Sequence, residues 1–403
     1  MFKPIHPFPA RMAPELVWEE MPDDSKSLQV LDPMAGSGTT LVGARLRGHH
    51  ATGFDRDPLA VMIAKAWISV VDTQRTERKA AEVIERAKRR AVHLRKRSSY
   101  PARADEETRN FIDFWFDADN RKELTALAAS IEGVRDEVTR NLLWCAFSRM
   151  IITKEAGVSL AMDVSHSRPH RVFDLAPHGA FDRFARAVRY VTRLSPFRAG
   201  EEQGTLGGAV VSNEDARKLP VADATIDLVI TSPPYLNAID YMRGHKLSLV
   251  WMGFNIAALR LLRATNMGSE VAAPSLGATC SVEEIAKAMC SGEPLDRRRE
   301  GILRRYVQDL HSVLSECYRV LRPVGKGVFV CGDSTLRGTF IANSTGVELV
   351  ARKLGFKVIG TRRRALPENK RYLPPPEKRS AGAALAKRMR EEVIVSLQKP
   401  ADG

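Results

Sequence analysis

The sequence predicts an α/β fold: an open sheet of seven strands with helices on both faces and a large, mainly helical insertion. Three observations carry this. Seven short apolar runs are mostly separated by stretches with helical spacing. A Gly-rich loop joins the first run to a helix, the arrangement of a Rossmann-like nucleoside-binding unit. Between the second and third runs, helical spacing replaces the alternation for more than a hundred residues.

The first strand ends in Leu28 to Leu31, and the loop Asp32 to Thr40 follows it, with Gly36 and Gly38 inside and a helix after. The second run, around Gly53, ends in Asp55, 17 positions beyond Gly38, near the spacing of a ribose-binding carboxylate. Helical patterns then run from about residue 72 to about residue 200. The remaining strands are expected at Gly208 to Ser212, Thr225 to Thr231, Lys326 to Gly332, Phe356 to Thr361 and Glu391 to Leu397. Residues 264–299 and 365–387 read as loops or lids. The chain thus divides into a first core half (1–72), the insertion (73–205) and a second core half (206–403).

Composition excludes several classes. The chain is 44% apolar and 27% charged, and no stretch approaches the roughly 18 apolar residues that a membrane helix needs. The first residues lack the apolar core of an export signal, so a cytoplasmic protein with no membrane partner is expected. Five scattered cysteines without a CxxC pair give no disulfide framework and no zinc site, and His166 and His170 lack further metal ligands, so no metal is assigned. The formal charge of +14 favours a polyanionic partner.

The sharpest motif is Thr231-Ser232-Pro233-Pro234-Tyr235, delivered by a strand to the carboxyl edge of the sheet, where ligands of such folds bind. Two prolines fix φ and hold a stiff turn, in which the Ser232 hydroxyl and the Pro233 carbonyl can both accept from one amino group. An exocyclic base nitrogen is a poor nucleophile because its lone pair is delocalised into the ring. Two acceptors on its hydrogens would turn that lone pair toward a methyl donor, while Tyr235 stacks on the base. Serine is too weak a base to deprotonate the amine first, so proton loss follows methyl transfer. For the Gly loop alone, a generic nucleotide-binding role competes.

With Asp32-Pro33-Met34-Ala35-Gly36-Ser37-Gly38-Thr39-Thr40 ahead of Thr231-Ser232-Pro233-Pro234-Tyr235, the chain resembles the amino-group DNA methyltransferases, which make N4-methylcytosine and N6-methyladenine. The resemblance covers about half of the chain. It implies a class I methyltransferase sheet, S-adenosyl-L-methionine as cofactor, base flipping, and double-stranded DNA as partner in a nucleoid-associated protein. It also names a cognate restriction endonuclease as the protein partner to look for. The same resemblance assigns Asp32, Pro33, Ala35, Gly36, Ser37, Gly38, Thr39 and Thr40 to the cofactor, and places Phe8 and Pro9 of Phe8-Pro9-Ala10-Arg11 on its methionine portion. Asp55, with Arg56 beside it, would hold the ribose hydroxyls, and Asp215, with Ala216, the adenine. Ser232, Pro233, Pro234 and Tyr235 become the catalytic turn. Serine at 232 is more typical of the cytosine-N4 members.

The long insertion departs from a minimal member and leaves open where the target is recognised. Nucleic-acid contacts are expected from Asn237, Tyr241, Arg243, His245 and Lys246 after the turn, from Arg168 and Arg171 in a basic loop, and from Arg371. The runs Arg297 to Arg299 and Arg362 to Arg364 are further phosphate candidates, and the basic helix from Arg75 to Arg97 is read first as a solvated one. Carbon-5 methylation is disfavoured because no cysteine follows a proline. Adenine-N6 methylation, methylation of an RNA base, and a catalytically silent nucleic-acid-binding protein on the same scaffold stand as alternatives.

Overall fold

The computed structural model describes residues 2–9, 11–22, 26–95, 99–166, 169–201, 206–236, 240–268, 280–291, 294–336, 339–366 and 391–401. The seven expected strands are β1 (Gln29–Asp32), β2 (His50–Phe54), β3 (Ala209–Ser212), β4 (Ile226–Thr231), β5 (Leu321–Cys331), β6 (Lys357–Ala365) and β7 (Glu391–Gln398). They form one sheet in the order β6-β7-β5-β4-β1-β2-β3. β1 to β5 pair in parallel, and β7 lies antiparallel between β5 and β6. This is the seven-stranded methyltransferase architecture expected from the sequence.

Because side chains alternate across a pleated strand, the sheet feeds two cores. Val30, Leu228, Ile230, Val328, Val330 and Ile394 face one. Leu31, Val229, Phe329, Val393 and Val395 face the other. The strands read as near-continuous apolar runs because a doubly covered parallel sheet buries both faces.

The first face is covered by α1 (Pro14–Glu20), α2 (Thr39–Leu46) and α3 (Pro58–Ile68), and beyond them by the insertion helices α4 (Thr73–His93), α5 (Glu106–Trp115), α6 (Ala118–Glu132), α7 (Glu137–Ile151) and α8 (Ala180–Leu194). After β4 come α9 (Tyr241–Leu249) and α10 (Ile256–Thr265), while α11 (Cys280–Met289), α12 (Arg297–Val320) and α13 (Asn343–Lys353) cover the second face. The insertion shares one continuous apolar cluster with the sheet.

Helix starts follow from local chemistry. Asp57, Asp72, Asp105, Asp117 and Asp136 each accept an otherwise unpaired amide in the first turn of α3 to α7, each worth about 1 kcal/mol. The basic helix α4 buries only Thr76, Ala80, Val83, Ala87 and Ala91, a narrow stripe at helical spacing, and exposes its charges.

The carboxyl ends of β1 and β4 are joined by Thr231 Oγ1, which donates to Asp32 Oδ1 at 2.7 Å, and the Met34 amide donates to the same oxygen at 3.2 Å. Asp32 is 1% exposed. Burial pushes its carboxyl up to about 6, against hydrogen bonds, those of Thr231 and Met34 among them, that lower it. A group raised in this way contributes its stability fully below its unfolded pKa of about 4 and loses it as pH rises through the folded value. Asp32→Asn keeps the Oδ1 acceptor and removes the buried charge. In urea denaturation it is expected to match the wild type near pH 4 and to exceed it by up to about 3 kcal/mol above pH 6. A stability difference that does not change with pH would contradict the assignment.

Candidate active site

The connection from β1 leads to one side of the sheet and that from β4 to the other, so their carboxyl ends border the crevice at a topological switch point. Two loops meet there. In the first, the Ala35 amide donates to the Phe54 carbonyl at 2.8 Å, and the Gly38 amide donates to the Ala35 carbonyl at 2.8 Å. Gly36 and Gly38 take left-handed φ of 50° and 92°. A Cβ on Gly38 would lie 3.0 Å from the Ala64 methyl and 3.3 Å from its Cα, so the loop seats directly on α3.

Thr40 is turned inward and donates to the Ile230 carbonyl at 3.3 Å. The Ser37 and Thr39 hydroxyls are buried with no hydrogen-bond partner among the described residues. Pro33 and Ala35 are buried beneath the loop.

Asp55 holds the loop from beside it. One carboxylate oxygen accepts from the Gly36 amide and the other from the Asp57 amide, both at 2.8 Å. Burial, then the nearby Asp57 carboxylate, pushes Asp55 up to about 7. Its chain neighbour Arg56 turns away, donating to Asp215 at 3.1 Å and to the Thr265 carbonyl at 2.9 Å. Asp215 also accepts the amide, Nε and Nη2 of Arg217. Burial raises its carboxyl, but Arg217 and Arg56 outweigh this and hold it below the ordinary range. Four protein donors fill the roughly four lone-pair positions of a carboxylate. Asp215 therefore anchors two arginines, a correction to its expected role as an open acceptor for adenine. Ala216 packs into the second core.

In the second loop, Ser232 Oγ donates to the Val330 carbonyl at 3.0 Å and lies 3.5 Å from the Tyr235 hydroxyl. The turn is braced from behind. Asn343 accepts from the Leu236 amide at 3.3 Å and donates to the Gly332 carbonyl at 2.9 Å, while Ser334 donates to the Leu236 carbonyl at 2.7 Å. Burial and the Glu392 carboxylate hold the Tyr235 phenol well above its usual range, so it stays neutral. Pro233 is buried and Pro234 half-buried.

Ser232 and Tyr235 open into a cleft of about 680 Å³. Phe8, Pro9 and Arg11 of the N-terminal segment form one wall, and Arg149, Lys154, Arg183, Arg186 and Tyr190 of the insertion form another. Phe8 also reaches the Gly loop, its ring 3.4 Å from where a Gly36 Cβ would stand, and it stacks on Tyr241 with centroids 5.8 Å apart. The site thus draws together the Gly loop, Asp55, Phe8, Ser232, Tyr235 and Tyr241.

Other expected contacts fall elsewhere. His245 is completely buried, its Nδ1 bonded to the Asp57 carboxylate, which corrects its reading as a surface contact. Arg243 pairs with Asp240 at 2.9 Å. The Lys246 ammonium sits over the Phe111 ring at 5.2 Å, and Arg171 over Phe114 at 5.5 Å. None of Arg243, Lys246 and Arg171 lines the cleft. Arg168, Asn237 and Arg371 lie outside the described residues. Arg299, Arg304 and Arg362 to Arg364 are paired with carboxylates.

Sequence reasoning missed Asn343, Ser334, Arg149, Arg183, Arg186 and Tyr190. Positions 183, 186 and 190 follow helical spacing on α8 and could have been read as one basic-aromatic face. Nothing local marks the others. Among the described residues no group of three His, Cys, Asp or Glu could hold a metal, and no helix is long and apolar enough to cross a membrane.

No family model matches the chain. Over 262 residues it is 24% identical to the type II methyltransferase M.MvaI of Kocuria varians, covering 62% of this chain and 57% of that protein. It thus spans little more than half the length of that relative. It is 22% identical over 380 residues to the type II methyltransferase M.BsoBI of Geobacillus stearothermophilus, covering 83% and 74% of the two chains. A solved S-adenosylmethionine-dependent methyltransferase from Methanosarcina mazei aligns over 97% of this chain and 99% of its own, at 9% identity and a TM-score of 0.33. The strand order described above, rather than that likeness, carries the fold.

The Gly38 geometry has a direct consequence. Gly38→Ala forces a side chain into a left-handed residue against the backbone of α3, and is expected to lower stability by at least about 1–2 kcal/mol. Thermal denaturation checks this, and an unchanged midpoint would mean that the loop does not depend on that contact.

Proposed function

We propose that this chain is an S-adenosyl-L-methionine-dependent methyltransferase that modifies the exocyclic N4 amino group of cytosine in double-stranded DNA, with the base extruded into the cleft. One observation carries the reading: the Ser232 proton is committed to the Val330 carbonyl, so the lone pairs of Oγ remain to accept from an amino group at the mouth of the cleft.

The first loop fits the cofactor. Two left-handed glycines leave its backbone bare, the Ser37 and Thr39 hydroxyls are buried donors without partners among the described residues, and the Asp55 carboxylate lies at its edge. In this reading residues 33–40 and Asp55 hold the cofactor, with Phe8 and Pro9 closing over it. When bound, S-adenosylmethionine supplies an electrophilic methyl group.

The protein's part is orientation. Ser232 Oγ and the Pro233 carbonyl accept the two amino hydrogens and turn the nitrogen lone pair out of conjugation, and the Tyr235 ring covers the base. The Tyr235 phenol is neutral and Ser232 is no base, so the amine is not deprotonated beforehand and its surplus proton passes to solvent after transfer. A cleft of about 680 Å³ is within the range of ligand pockets, roughly 300–1,000 Å³, and admits a single extruded base. Serine at 232, the variant more typical of cytosine-N4 enzymes, supports the choice of cytosine, and the similarity to type II methyltransferases supports methyl transfer.

The test is incubation with labelled S-adenosylmethionine and unmethylated plasmid, followed by digestion and mass spectrometry of the nucleosides. N4-methylcytosine is expected. N6-methyladenine would keep the chemistry and overturn the choice of base, and absence of any methylated nucleoside, in DNA or in structured RNA, would leave a silent binding protein. Ser232→Ala should retain cofactor affinity in calorimetry and lose about 10²-fold or more in turnover, the cost of one well-placed polar partner. Full turnover would remove Ser232 from the mechanism.

A further inference from the structure

Several arginines around the sheet are matched to carboxylates. Arg56 and Arg217 share Asp215, Arg319 holds Glu316 and Asp223, Arg322 holds Asp227, and Arg362 to Arg364 pair with acids of α1 and β7. The cleft in front of Ser232 is different. On its insertion wall, Arg149, Lys154, Arg183 and Arg186 have no carboxylate partner among the described residues. One carboxylate, Glu155, lines the same wall without pairing to any of the four, and four cations against one carboxylate are unfavourable for the empty protein and complementary to an anion.

The side chains are also arranged rather than merely present. Arg149, in the last turn of α7, lies flat on the Tyr190 ring at 3.5 Å, and its Nη1 donates to the Ile5 carbonyl at 3.3 Å. That fixes a guanidinium between the insertion and the N-terminal segment. One turn apart on α8, Arg183 and Arg186 face the same space. Arg183 Nη2 reaches the Ala156 carbonyl at 3.4 Å, while its buried Nε–H has no partner among the described residues, a donor without an acceptor at the cleft.

From this geometry we infer that Arg183 and Arg186, with Arg149 stacked on Tyr190 and Lys154 at the rim, form a phosphodiester-binding wall that grips the backbone of the strand whose base enters the cleft. The inference rests on the function proposed above. It moves the main backbone contact from the segment after the catalytic turn into the insertion. Arginine suits this role because its planar fork can donate two hydrogen bonds to one phosphate while a face stacks on an aromatic ring.

The experiment measures binding of a short, unmethylated, fluorescent DNA duplex across a series of salt concentrations, together with cofactor calorimetry and steady-state methylation. Arg186 is exposed and makes no ion pair among the described residues, so Arg186→Ala is expected to fold normally. It should weaken duplex binding about tenfold and reduce the slope of log K against log salt by about 0.9, one phosphate contact. Arg183→Ala should do the same, Arg186→Lys should restore the slope, and Arg89→Ala, on exposed α4, should change neither. Cofactor affinity and kcat at saturating DNA should hold while KM for DNA rises.

Unchanged affinity and slope in Arg183→Ala and Arg186→Ala, with methylation intact in the wild type, would overturn the wall and leave the proposed function standing. An equal loss in Arg89→Ala would overturn it too, by showing a diffuse charge effect. A wild type that neither binds duplex nor transfers methyl would fail the functional reading itself.

Discussion

The site depends on a hydrogen bond from the Thr231 hydroxyl to the buried Asp32 carboxylate. It fixes the last residue of β4 against the last residue of β1, the two strands from which the chain departs in opposite directions. The Thr40 hydroxyl adds a second tie, from the start of α2 to the Ile230 carbonyl. Through these two contacts the Gly loop and the Pro-Pro turn emerge side by side. Burying a carboxylate to make such a joint is costly unless its acceptors are filled, and a hydroxyl and an amide fill one of its oxygens here. Everything placed on either loop, the buried Ser37 and Thr39 hydroxyls of one and the Ser232 lone pairs of the other, inherits its position from that joint.

Charge is handled in two ways. Around the sheet, several arginines and carboxylates neutralise one another in pairs, including the saturated Asp215 cluster that clamps Arg56 and Arg217 to the Thr265 carbonyl. Such exposed pairs are individually worth little to stability. On the insertion wall of the cleft beside Ser232, Arg149, Lys154, Arg183 and Arg186 lack such partners among the described residues. Part of the formal charge of +14 thus stands on one wall of the cleft that Ser232 faces.

Much of this was legible from residues alone. The strands could be placed because apolar runs such as Ile226 to Ile230 are short and end in turn residues, and an aspartate stands before each of α4 to α7. The Gly loop and the Pro-Pro turn could be found because their backbones require unusual residues. His245, by contrast, sits in a polar stretch that looks solvent-facing, and only the approach of Asp57, 188 positions away, draws it inside. Asp215 was read as an open acceptor because Arg56, 159 positions away, meets it only in the fold, and because nothing in the sequence shows that Arg217, two positions on, folds back onto its carboxylate.

What the sequence determined by itself is the alternation of strand and helix, the two loops with the backbone freedom or stiffness their chemistry needs, and an excess of positive charge. Those properties are local: they follow from φ restrictions, hydrogen-bonding valence and apolar period within a few residues. Tertiary structure alone decided which cations stay unpaired, which carboxylates are already filled, and that a wall of the insertion faces Ser232. Such properties belong to pairs and clusters of groups distant in the chain, and a side chain's charge or hydroxyl is available for function only after folding has settled which neighbour it meets.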